Sequence, residues 1–451
     1  MSYIWILPPP RQRGFLLITG LLITSSLILL TTGSLVRSQV EWTAASRFLA
    51  QQQALYLAEG RMEQVVAAFA LDPTLARGTT CPSGVDAAVG TTSCTLTPLQ
   101  LYVNGPGGLT TQPVQILVTA TVPNALTPLG RQSLEAVVEV PSAPLFQWAG
   151  YSDYGIAGLG WDIVIDSYNS SLGPYTPPAG PAVGATIQDG DGYGSCGGGI
   201  LLNRRGQLFG DAFVAPGCNP SLYIITMGGA RIYGVRGNAP VPILPVVKVP
   251  VGTPQGTPLT SCPGGFLSVD VTSFPYSAIT LSEPCNLTLT GNGTLALNDF
   301  YFDPTGGSQL TVNGSVQLTT GRFWLAAPTV LGANASVAVY ANGEVLTRGE
   351  VNGTGSLGRP KDFALYALGT GLANEPMIYG KLYGTVYASS NGVTLPAEFV
   401  GSYEVFGSVI AGGGPVFIGR NAKIHQDLSL KTLGAPIGPS NPIKLRSWRT
   451  L

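Results

Sequence analysis

Charged residues are scarce in this chain. Only 10% of its 451 residues are charged, and the formal net charge at pH 7 is -1. A chain without a surplus of basic side chains creates no long-range attraction for phosphates, so we expect no nucleic acid among its partners. The low charge also argues against disorder, because disordered chains combine high charge with low hydrophobicity.

Histidine is almost absent. His425 is the one histidine in the sequence, which removes most histidine-based catalysis and histidine-rich metal sites from consideration. We interpret His425 as a structural residue near the end of the last β segment. The sequence also contains no phosphate loop, nucleophile elbow or metal-binding cluster. These absences predict a protein that is not an enzyme and that has no cofactor.

Turn-forming residues, in contrast, are abundant. The chain has 60 glycines and 36 prolines, and 45% of its residues are hydrophobic. Short apolar segments separated by Gly, Asn and Pro are typical of many short β-strands. The chain is also long enough for two or three domains with a sizeable core.

The six cysteines fall into three close pairs. These pairs are Cys81 with Cys94, Cys196 with Cys218, and Cys262 with Cys285. Six cysteines permit many connectivities, so nearest-neighbour pairing is an interpretation. None of the spacings is C-x-x-C and no histidines accompany them, so zinc and redox chemistry fit poorly. Structural disulfides in an oxidising compartment fit better, and we therefore predict that the chain is exported.

An uncharged, apolar segment runs from Phe15 to Val36. As a helix it would extend about 33 Å, enough to cross a hydrocarbon core of about 30 Å. It continues into a helical pattern without a break, so we expect it to stay attached, unlike a signal peptide. Arg11 and Arg13 precede it, which predicts a single-pass membrane protein with a cytoplasmic N-terminus and an extracytoplasmic outer domain.

Helical spacing continues beyond the apolar segment as far as Leu71. The large apolar residues at this spacing are Phe48, Leu55, Met62, Val66 and Phe69. Asp72-Pro73 should end the helix, because a residue before proline avoids the helical conformation. The whole helix would be about 85 Å long. The first half of the helix is apolar and must lie in lipid or pack against other copies of itself, whereas the second half is amphipathic.

Two motifs in this region resemble a known family. Arg13-Gly14-Phe15, directly before the apolar run, looks like the prepilin peptidase site of type IV pilins. The stretch from Ala54 to Glu63 is similar to a segment of PilX-type minor pilins. Thr19 departs from the pattern, since major pilins carry glutamate at this fifth mature position.

The resemblance implies a particular organisation of the N-terminal region. Residues 1–14 would be a leader peptide that is cleaved between Gly14 and Phe15. Residues 15–71 would be a pilin-like helix whose transmembrane part is 15–36. The implied partners are the prepilin peptidase, the inner membrane and other pilin subunits, which the helix would contact.

Three segments with alternating apolar residues follow the helix, at 99–103, 114–122 and 134–140. Alternation of this kind is typical of strands with one buried face. We therefore predict a small antiparallel β subdomain over residues 72–145. It would lie beside the end of the long helix, whose apolar face needs a partner.

An aromatic residue followed by glycine recurs in the rest of the chain. Phe209 is followed 24 residues later by Tyr233, and Tyr383 is followed 23 residues later by Phe406. A period of this size is that of one solenoid coil, in which equivalent positions of successive coils align. The repeat predicts a parallel β-helix over residues 146–433 and a C-terminal tail over 434–451.

Asn-Gly dipeptides add to the repeat and also support an alternative. Asn292 and Asn313 each precede glycine and are 21 residues apart. Asn-Gly is also the strongest short hairpin signal, so a β-sandwich is the alternative fold. The predicted fold class is mainly β with one long N-terminal helix. Segments 164–170, 422–428 and 447–449 further resemble the β-helical ectodomains attached to PilX-type N-termini.

Two groups of acidic residues could carry chemistry. Asp189 and Asp191, in an Asp-Gly-Asp-Gly sequence, form a weak calcium candidate, and we favour a flexible polar turn. Asp162 and Asp166 would face the same side of a strand, where paired carboxylates could serve a glycosidase. Asp-Ser-Tyr is equally good turn chemistry, so we do not favour catalysis there.

The predicted function is that of a minor pilin or pilin-like assembly subunit of a type IV pilus. The helix would enter first the membrane and then the filament, with the large outer domain near the tip. The alternative is a signal-anchored surface adhesin whose solenoid binds a surface or glycan ligand. A β-helical enzyme that acts on polysaccharides is the least favoured hypothesis, because charge is sparse.

Overall fold

The computed structural model contains one long helix and many short strands, with 21% of the residues that it describes in helices and 44% in strands. The residues that it describes are 10–71, 81, 90–100, 102–104, 109–123, 128–141, 146, 148–176, 192–239, 244–352, 358–397, 402–432 and 444–450. They divide into two compact units. The helix unit is Met1–Pro98, Val114–Glu139 and Ile443–Leu451, and the solenoid unit is Leu99–Pro113 and Val140–Pro442.

The long helix is α1, Pro10–Leu71, and a single-turn helix, α2, is Pro220–Tyr223. The first strands are β1 Thr91–Pro98, β2 Tyr102–Asn104, β3 Leu109–Val122, β4 Gly130–Pro141, β5 Gly150–Ser152, β6 Ile156–Gly158, β7 Val164–Tyr168, β8 Gly192–Gly194, β9 Ile200–Leu202, β10 Gln207–Leu208, β11 Ala212–Val214, β12 Ile224–Thr226, β13 Arg231–Ile232, β14 Arg236–Asn238 and β15 Val246–Val247.

The strands of the second half follow the same short pattern. They are β16 Thr257–Leu259, β17 Phe266–Asp270, β18 Tyr276–Leu281, β19 Asn286–Thr290, β20 Gly293–Ala296, β21 Asp299–Phe302, β22 Leu310–Asn313, β23 Ser315–Thr320, β24 Arg322–Leu325, β25 Thr329–Leu331, β26 Ser336–Ala341, β27 Val345–Thr347, β28 Phe363–Ala367, β29 Met377–Ile378, β30 Lys381–Ala388, β31 Val393–Leu395, β32 Glu404–Ala411, β33 Val416–Ile418, β34 Lys423–Asp427 and β35 Lys444–Thr450.

Helix α1 is continuous over 62 residues. It begins at Pro10, five residues before the predicted start at Phe15. Proline suits this position because its fixed φ matches the first helical turn, where no backbone N–H is needed. The helix ends at Leu71, where the Asp-Pro pair predicted its end.

The second half of α1 packs on an antiparallel sheet within the helix unit. In that sheet β3 pairs with β1 and β4, and β4 pairs with β35. Alternate residues of the central strands are fully buried, as in Ile116 and Val118 of β3 and Ala136 and Val138 of β4. This period of two gives the sheet one apolar face for the helix.

The buried stripe of α1 differs from the predicted one. It consists of Ala50, Ala54, Ala58, Met62, Val65 and Phe69. Phe48, which the sequence analysis placed in the stripe, is 60% exposed. The predicted stripe consisted of large apolar residues, but small alanines are what allow the sheet to approach the helix backbone.

Gly130 marks the closest approach of sheet and helix. A Cβ on Gly130 would lie 2.3 Å from the carbonyl carbon of Ala50. Real Cβ atoms do not come this close to backbone, so the start of β4 requires glycine.

The C-terminal segment also belongs to this sheet. Residues 434–451 were predicted as a tail, but β35 pairs antiparallel with β4, where Trp448 lies opposite Ala136. Arg449 Nη2 donates to both carboxylate oxygens of Glu135, at 3.0 and 2.8 Å. This interaction holds the pKa of Glu135 below its usual value.

The solenoid unit confirms the predicted parallel β-helix, and the β-sandwich alternative is wrong. Its strands form a 14-stranded, an 11-stranded and a 4-stranded sheet, in about 10 turns. The residues between the sheets form one apolar core in which successive turns stack equivalent side chains. For example, the rings of Phe300 and Phe323 stack at 5.2 Å.

The turns do not stack in chain order. From β5 to β14 the chain winds from the middle of the stack to one of its ends. The next solenoid strand, β16, lies at the opposite end of the stack. It winds back until β34 pairs in parallel with β7, so that His425 lies opposite Asp166 and Lys423 opposite Val164. The chain therefore enters and leaves the solenoid in the middle of the stack.

A connecting segment between these two halves crosses the outer face of the 14-stranded sheet. Its strand β15 pairs in parallel with β2. Beneath it, outward-facing Tyr340, Tyr366 and Tyr387 occupy successive turns. The Tyr387 hydroxyl donates to the Pro245 carbonyl at 2.7 Å, and burial raises the pKa of Tyr387.

The predicted repeats align with the turns in two cases out of three. Phe209 stacks on Tyr233 at 4.7 Å, and Tyr383 stacks on Phe406 at 4.4 Å. Asn313, however, lies opposite Thr290, not opposite Asn292. The Asn-Gly spacing is therefore not the register, because the paired residues of these two turns are 23 residues apart and the two dipeptides lie at the same corner with an offset of two positions.

The cysteines are joined in neighbouring pairs. Cys81–Cys94 lies in the helix unit, and Cys196–Cys218 and Cys262–Cys285 lie in the solenoid unit. The latter two span 22 and 23 residues, about one turn of the repeat. Each should stabilise its unit by roughly 3 kcal/mol on the chain-entropy estimate for loops of this size.

Gly130→Ala should destabilise the helix unit by about 2 kcal/mol, because the methyl group would push the sheet away from Ala50. Gly60→Ala is the matched control, since Gly60 has open space around its Cα. That change should be neutral or stabilise α1 by about 0.5–1 kcal/mol. Denaturant unfolding of the full chain in detergent measures both, and equal stabilities would contradict the packing described here.

Candidate assembly helix and solenoid faces

The first half of α1 is exposed although it is apolar. From Phe15 to Leu49 the described helix makes no buried contact, and Leu29 and Leu30 are each 72% exposed. In the described part of the chain, α1 alone is long and apolar enough to cross a membrane. An apolar helical surface of this extent is unstable in water and requires lipid or a protein partner.

The hydroxyl groups in this apolar run are satisfied by the helix itself. The seven serines and threonines are Thr19, Thr24, Ser25, Ser26, Thr31, Thr32 and Ser34, and each donates to a carbonyl three or four residues earlier. Ser26 Oγ, for example, lies 2.7 Å from the Leu22 carbonyl oxygen. Such bonds remove most of the cost of placing a hydroxyl in hydrocarbon.

The predicted processing site lies near the start of α1. Gly14 and Phe15 are both in the helix, and Phe15 is 69% exposed. Thr19 donates to the Phe15 carbonyl at 2.8 Å. The first charge after the run is Arg37, which pairs with Glu41 at 2.9 Å. Cleavage at Gly14-Phe15 stays a prediction.

A buried polar cluster joins the first and last turns of the solenoid. Asp166 on β7 accepts hydrogen bonds from His425 Nδ1 at 2.5 Å and from the Tyr175 hydroxyl at 2.6 Å. Asp166 and His425 are almost completely buried. The Tyr175 ring lies 4.0 Å from the His425 ring, and burial, reinforced by the Asp166 carboxylate, raises the pKa of Tyr175.

A second carboxylate fixes the segment that carries Tyr175. Asp427 Oδ2 accepts from the Ser170 hydroxyl at 2.6 Å and from the Ser429 hydroxyl at 2.7 Å. Asp427 Oδ1 accepts from the backbone N–H groups of the same two residues, each at 3.0 Å. The chain after β7 is thereby held over the cluster and closes it to solvent.

This arrangement corrects the paired-carboxylate hypothesis. Asp162 precedes β7 in a left-handed turn with φ of 56° and is exposed, so it does not share a strand face with Asp166. An acid–histidine pair without solvent access can stabilise the fold but has no room for a substrate. His425, predicted as a structural residue, lies in β34 in this closed cluster.

A charged file lies on the same sheet next to this cluster. Glu404 Oε1 is 3.0 Å from Lys423 Nζ, and Glu404 Oε2 is 3.7 Å from Lys381 Nζ. Burial alone would raise the pKa of Glu404, but hydrogen bonds from Ser402 and Lys423 outweigh it and hold that pKa below its usual value. At neutral pH Glu404 is therefore ionised, and its contacts with Lys381 and Lys423 stabilise the pairing of β30, β32 and β34.

The calcium candidates Asp189 and Asp191 lie outside the described residues. Within the described residues, no group of three or more His, Cys, Asp or Glu side chains could hold a metal ion.

The two large sheets differ in what covers their outer faces. The connecting segment lies over the 14-stranded sheet, whereas the 11-stranded sheet carries an outward file that remains partly exposed. In stacking order its residues are Thr280, Tyr301, Trp324, Leu346, Met377, Thr394, Phe417, Ala157, Leu201 and Ile225. We call these residues the outer file; Met377, Phe417 and Ile225 are 37–42% exposed.

One end of the outer file combines aromatic rings with charge. Tyr301 and Trp324 have ring centroids 5.5 Å apart. The Arg322 guanidinium lies 5.0 Å from the Tyr301 ring and makes two hydrogen bonds to Asp299, at 2.8 and 2.6 Å. Flat rings flanked by fixed hydrogen-bonding groups are suited to a sugar ring, which presents an apolar face and a rim of hydroxyls.

Comparisons with known proteins do not assign this chain to a family. No protein-family model matches the chain, and no curated protein matches it. Among solved structures it is similar to the competence-associated pilin ComZ from Thermus thermophilus, with 12% identity over 89% of this chain and 98% of that chain. The TM-score is 0.28, which is too low to establish a common fold.

Asp166→Asn should destabilise the solenoid by about 2 kcal/mol, since an amide has one acceptor oxygen and could no longer accept from both His425 and Tyr175. Asp162→Asn makes the same chemical change in an exposed turn that asparagine tolerates, and it should stay within about 0.5 kcal/mol of the wild type. Unfolding in urea compares the two. Equal effects would mean that the buried cluster does not join the first and last turns.

Proposed function

We propose that this chain is a pilin-like structural subunit whose exposed helical half inserts first into the membrane and then into a filament. The observation that carries the proposal is the continuity of α1. Residues 15–49 are apolar for most of their length and exposed, while residues 50–69 are anchored on the sheet of the helix unit. One rigid element thus combines an insertion segment with a folded domain.

Energetics support a nonaqueous location for the exposed half. Burial of one Leu or Ile side chain is worth about 1.5–3 kcal/mol, and α1 exposes more than ten such residues between Phe15 and Val36. Before assembly, lipid would surround these apolar side chains. In a filament, packed helices of neighbouring subunits would cover the same apolar surface. The hydroxyl groups do not oppose this, because they already donate to carbonyls of their own helix and need no water.

We further propose the finer assignment to a PilX-type minor pilin of a type IV pilus. Support comes from the Arg13-Gly14-Phe15 motif, from the segment 54–63, and from the solenoid attached to the helix unit. A domain of this bulk on every subunit would crowd a fibre, which favours occasional use near the tip. Cleavage by the prepilin peptidase after Gly14 would precede assembly.

The proposed location follows from charge and cysteine chemistry. Arg11 and Arg13 precede the apolar run, so the N-terminus would stay in the cytoplasm of a single-pass inner-membrane precursor. The three disulfides require an oxidising environment for the outer domain, which agrees with export to the cell surface. A structural role is favoured over catalysis, because the buried Asp166–His425 pair has no access for a substrate.

The processing step can be tested by substituting each of two glycines, Gly14 and Gly20. In the wild type, mass spectrometry of sheared filaments should find a chain that begins at Phe15. Gly14→Val should leave the leader attached and remove the chain from filaments. Gly20→Val is the matched control, because Gly20 lies in the same exposed run with open space around it.

Two results would contradict the pilin-like proposal. The first is an intact chain from Met1 that occurs in membranes and never in filaments. The second is filaments of unchanged number and length when the chain is deleted. Together they would indicate a signal-anchored surface protein.

A second function, carbohydrate binding by the solenoid as a surface adhesin, is favoured by the outer file. Its Tyr301–Trp324 end is partly exposed in the solenoid unit and is flanked by Arg322 and Asp299. Successive turns of a β-solenoid are spaced about 4.8 Å apart, so an extended glycan along the stack could place sugar rings on successive turns. This function is compatible with the first.

Trp324→Ala should reduce retention of the full chain on immobilised neutral polysaccharide by at least fivefold, because it removes one stacking surface of the pair. Thr288→Ala is the control, since Thr288 lies on the 4-stranded sheet, outside the outer file. Circular dichroism melting must show that both variants are folded. Unchanged retention of the tryptophan variant would rule out the outer file as the binding surface.

A further inference from the structure

A cleft of about 600 Å³ opens at the β16 end of the solenoid. Its three walls are residues 252–255 of the connecting segment, the turn 271–276, and residues 294–296 of β20. The volume falls within the range of small-molecule sites, about 300–1,000 Å³. The position is an end of the stack, because β16 is the last strand of its sheet.

The walls of the cleft are fixed by short-range contacts. Asp270 Oδ1 accepts from the Thr272 backbone N–H at 2.8 Å and from its hydroxyl at 2.7 Å, which sets the shape of the turn. Val271 and Leu295, at 4% and 2% exposure, contribute an apolar floor that belongs to the solenoid core.

Two glycines bring the connecting segment against the other walls. Gly256 has φ of 77°, and a Cβ there would lie 1.8 Å from the Pro275 carbonyl oxygen. A Cβ on Gly252 would lie 2.8 Å from the Ala296 Cβ. The shape of the cleft therefore depends on two close approaches that larger residues would disturb, one to the Pro275 backbone and one to the Ala296 side chain.

The lining is polar but uncharged. None of the described residues that line the cleft is Lys, Arg, Asp, Glu or His. Its neutral hydrogen-bonding side chains are Thr253, Gln255, Thr272, Ser273, Tyr276 and Thr294. Apart from the Thr272 hydroxyl, these side chains have no hydrogen-bond partner in the described part of the chain, so their donors and acceptors are available.

Aromatic rings complete the lining. Phe274 and Tyr276 have ring centroids 5.4 Å apart and lie nearly perpendicular, at 76°. Both are half-buried and pack against the solenoid core. Their positions are therefore set by packing, and each can present a flat apolar surface to a ligand without losing much conformational freedom.

We propose that this cleft binds a neutral carbohydrate; the proposal rests on the carbohydrate-binding function above and adds a second, separate site to the outer file. Sugars offer paired hydroxyls, which match neutral groups that both donate and accept, and C–H faces, which match Phe274 and Tyr276. A charged ligand would lose its hydration without finding an opposite charge. A purely apolar ligand would leave the hydroxyl and amide groups unpaired.

Titration of the full chain with neutral and charged oligosaccharides tests the proposal. The neutral probes are cellopentaose, maltopentaose, chitopentaose and mannopentaose, and the charged probe is tetragalacturonate. The protein should be kept in lauryldimethylamine oxide, because a sugar-headed detergent would compete. Isothermal titration calorimetry should detect binding of at least one neutral probe and binding at least tenfold weaker of tetragalacturonate.

Gln255→Ala combined with Thr294→Val should weaken that binding at least tenfold, since two hydrogen-bonding groups are removed from exposed positions. Gly252→Leu, whose side chain would fill the cleft and whose Cβ would also push against Ala296, should have a similar effect. Thr288→Val is the matched control, because it removes a hydroxyl outside the cleft, and it should bind like the wild type. Melting curves verify that all variants fold.

The outcomes separate the cleft from the broader adhesin function. If no neutral probe binds, the proposal for the cleft is overturned. If binding survives the cleft variants but is lost in Trp324→Ala, the cleft is again excluded, while carbohydrate binding by the outer file stands. Binding of tetragalacturonate as tight as that of the neutral probes would contradict the assignment to neutral sugars.

Discussion

The pairing of β34 with β7 is the interaction on which the solenoid depends. It joins residues 259 positions apart in sequence, His425 and Asp166, across two parallel strands. Together with the parallel pairings of β32 with β5 and of β33 with β6, it joins the outward half of the solenoid, β5 to β14, which would otherwise be a separate stack with an open sheet edge. Open edges of this kind invite pairing with other chains. The buried Asp166–His425–Tyr175 cluster specifies this one pairing among many similar parallel strands.

The entry and exit of the chain in the middle of the stack have a structural consequence. Both ends of the solenoid are then built from internal parts of the sequence, namely β12 to β14 at one end and β16 to β18 at the other. The connecting segment, including β15, must cross the outside of the stack. It covers the tyrosine file of one sheet, and its last part forms a wall of the cleft, so a single segment both protects apolar surface and shapes a pocket.

Much of the fold could be predicted where the signal is local. The aromatic-glycine steps at Phe209, Tyr233, Tyr383 and Phe406 predicted the solenoid because stacked turns align identical residues, and the aligned rings are observed to stack. The apolar run from Phe15 likewise predicted the exposed half of α1.

Features that depend on distant contacts could not be predicted in this way. No local repeat indicates that β34 pairs with β7, and the role of Tyr175 depends on that pairing. The alanine stripe on α1 was missed because backbone proximity, not side-chain size, decides which face is buried; Gly130 is the signal that could have indicated it. The cleft has no sequence motif, since its neutral side chains come from three separate segments.

In the proposed function, the exposed half of α1 moves from lipid to contact with other subunits. The most direct test is a photo-cross-linker placed at Leu29, which is 72% exposed in the folded chain. In the membrane fraction it should label lipid, and in sheared filaments it should label the N-terminal helices of neighbouring subunits. Labelling of lipid in every fraction, with no cross-link to another subunit, would contradict the account and leave α1 as a permanent membrane anchor.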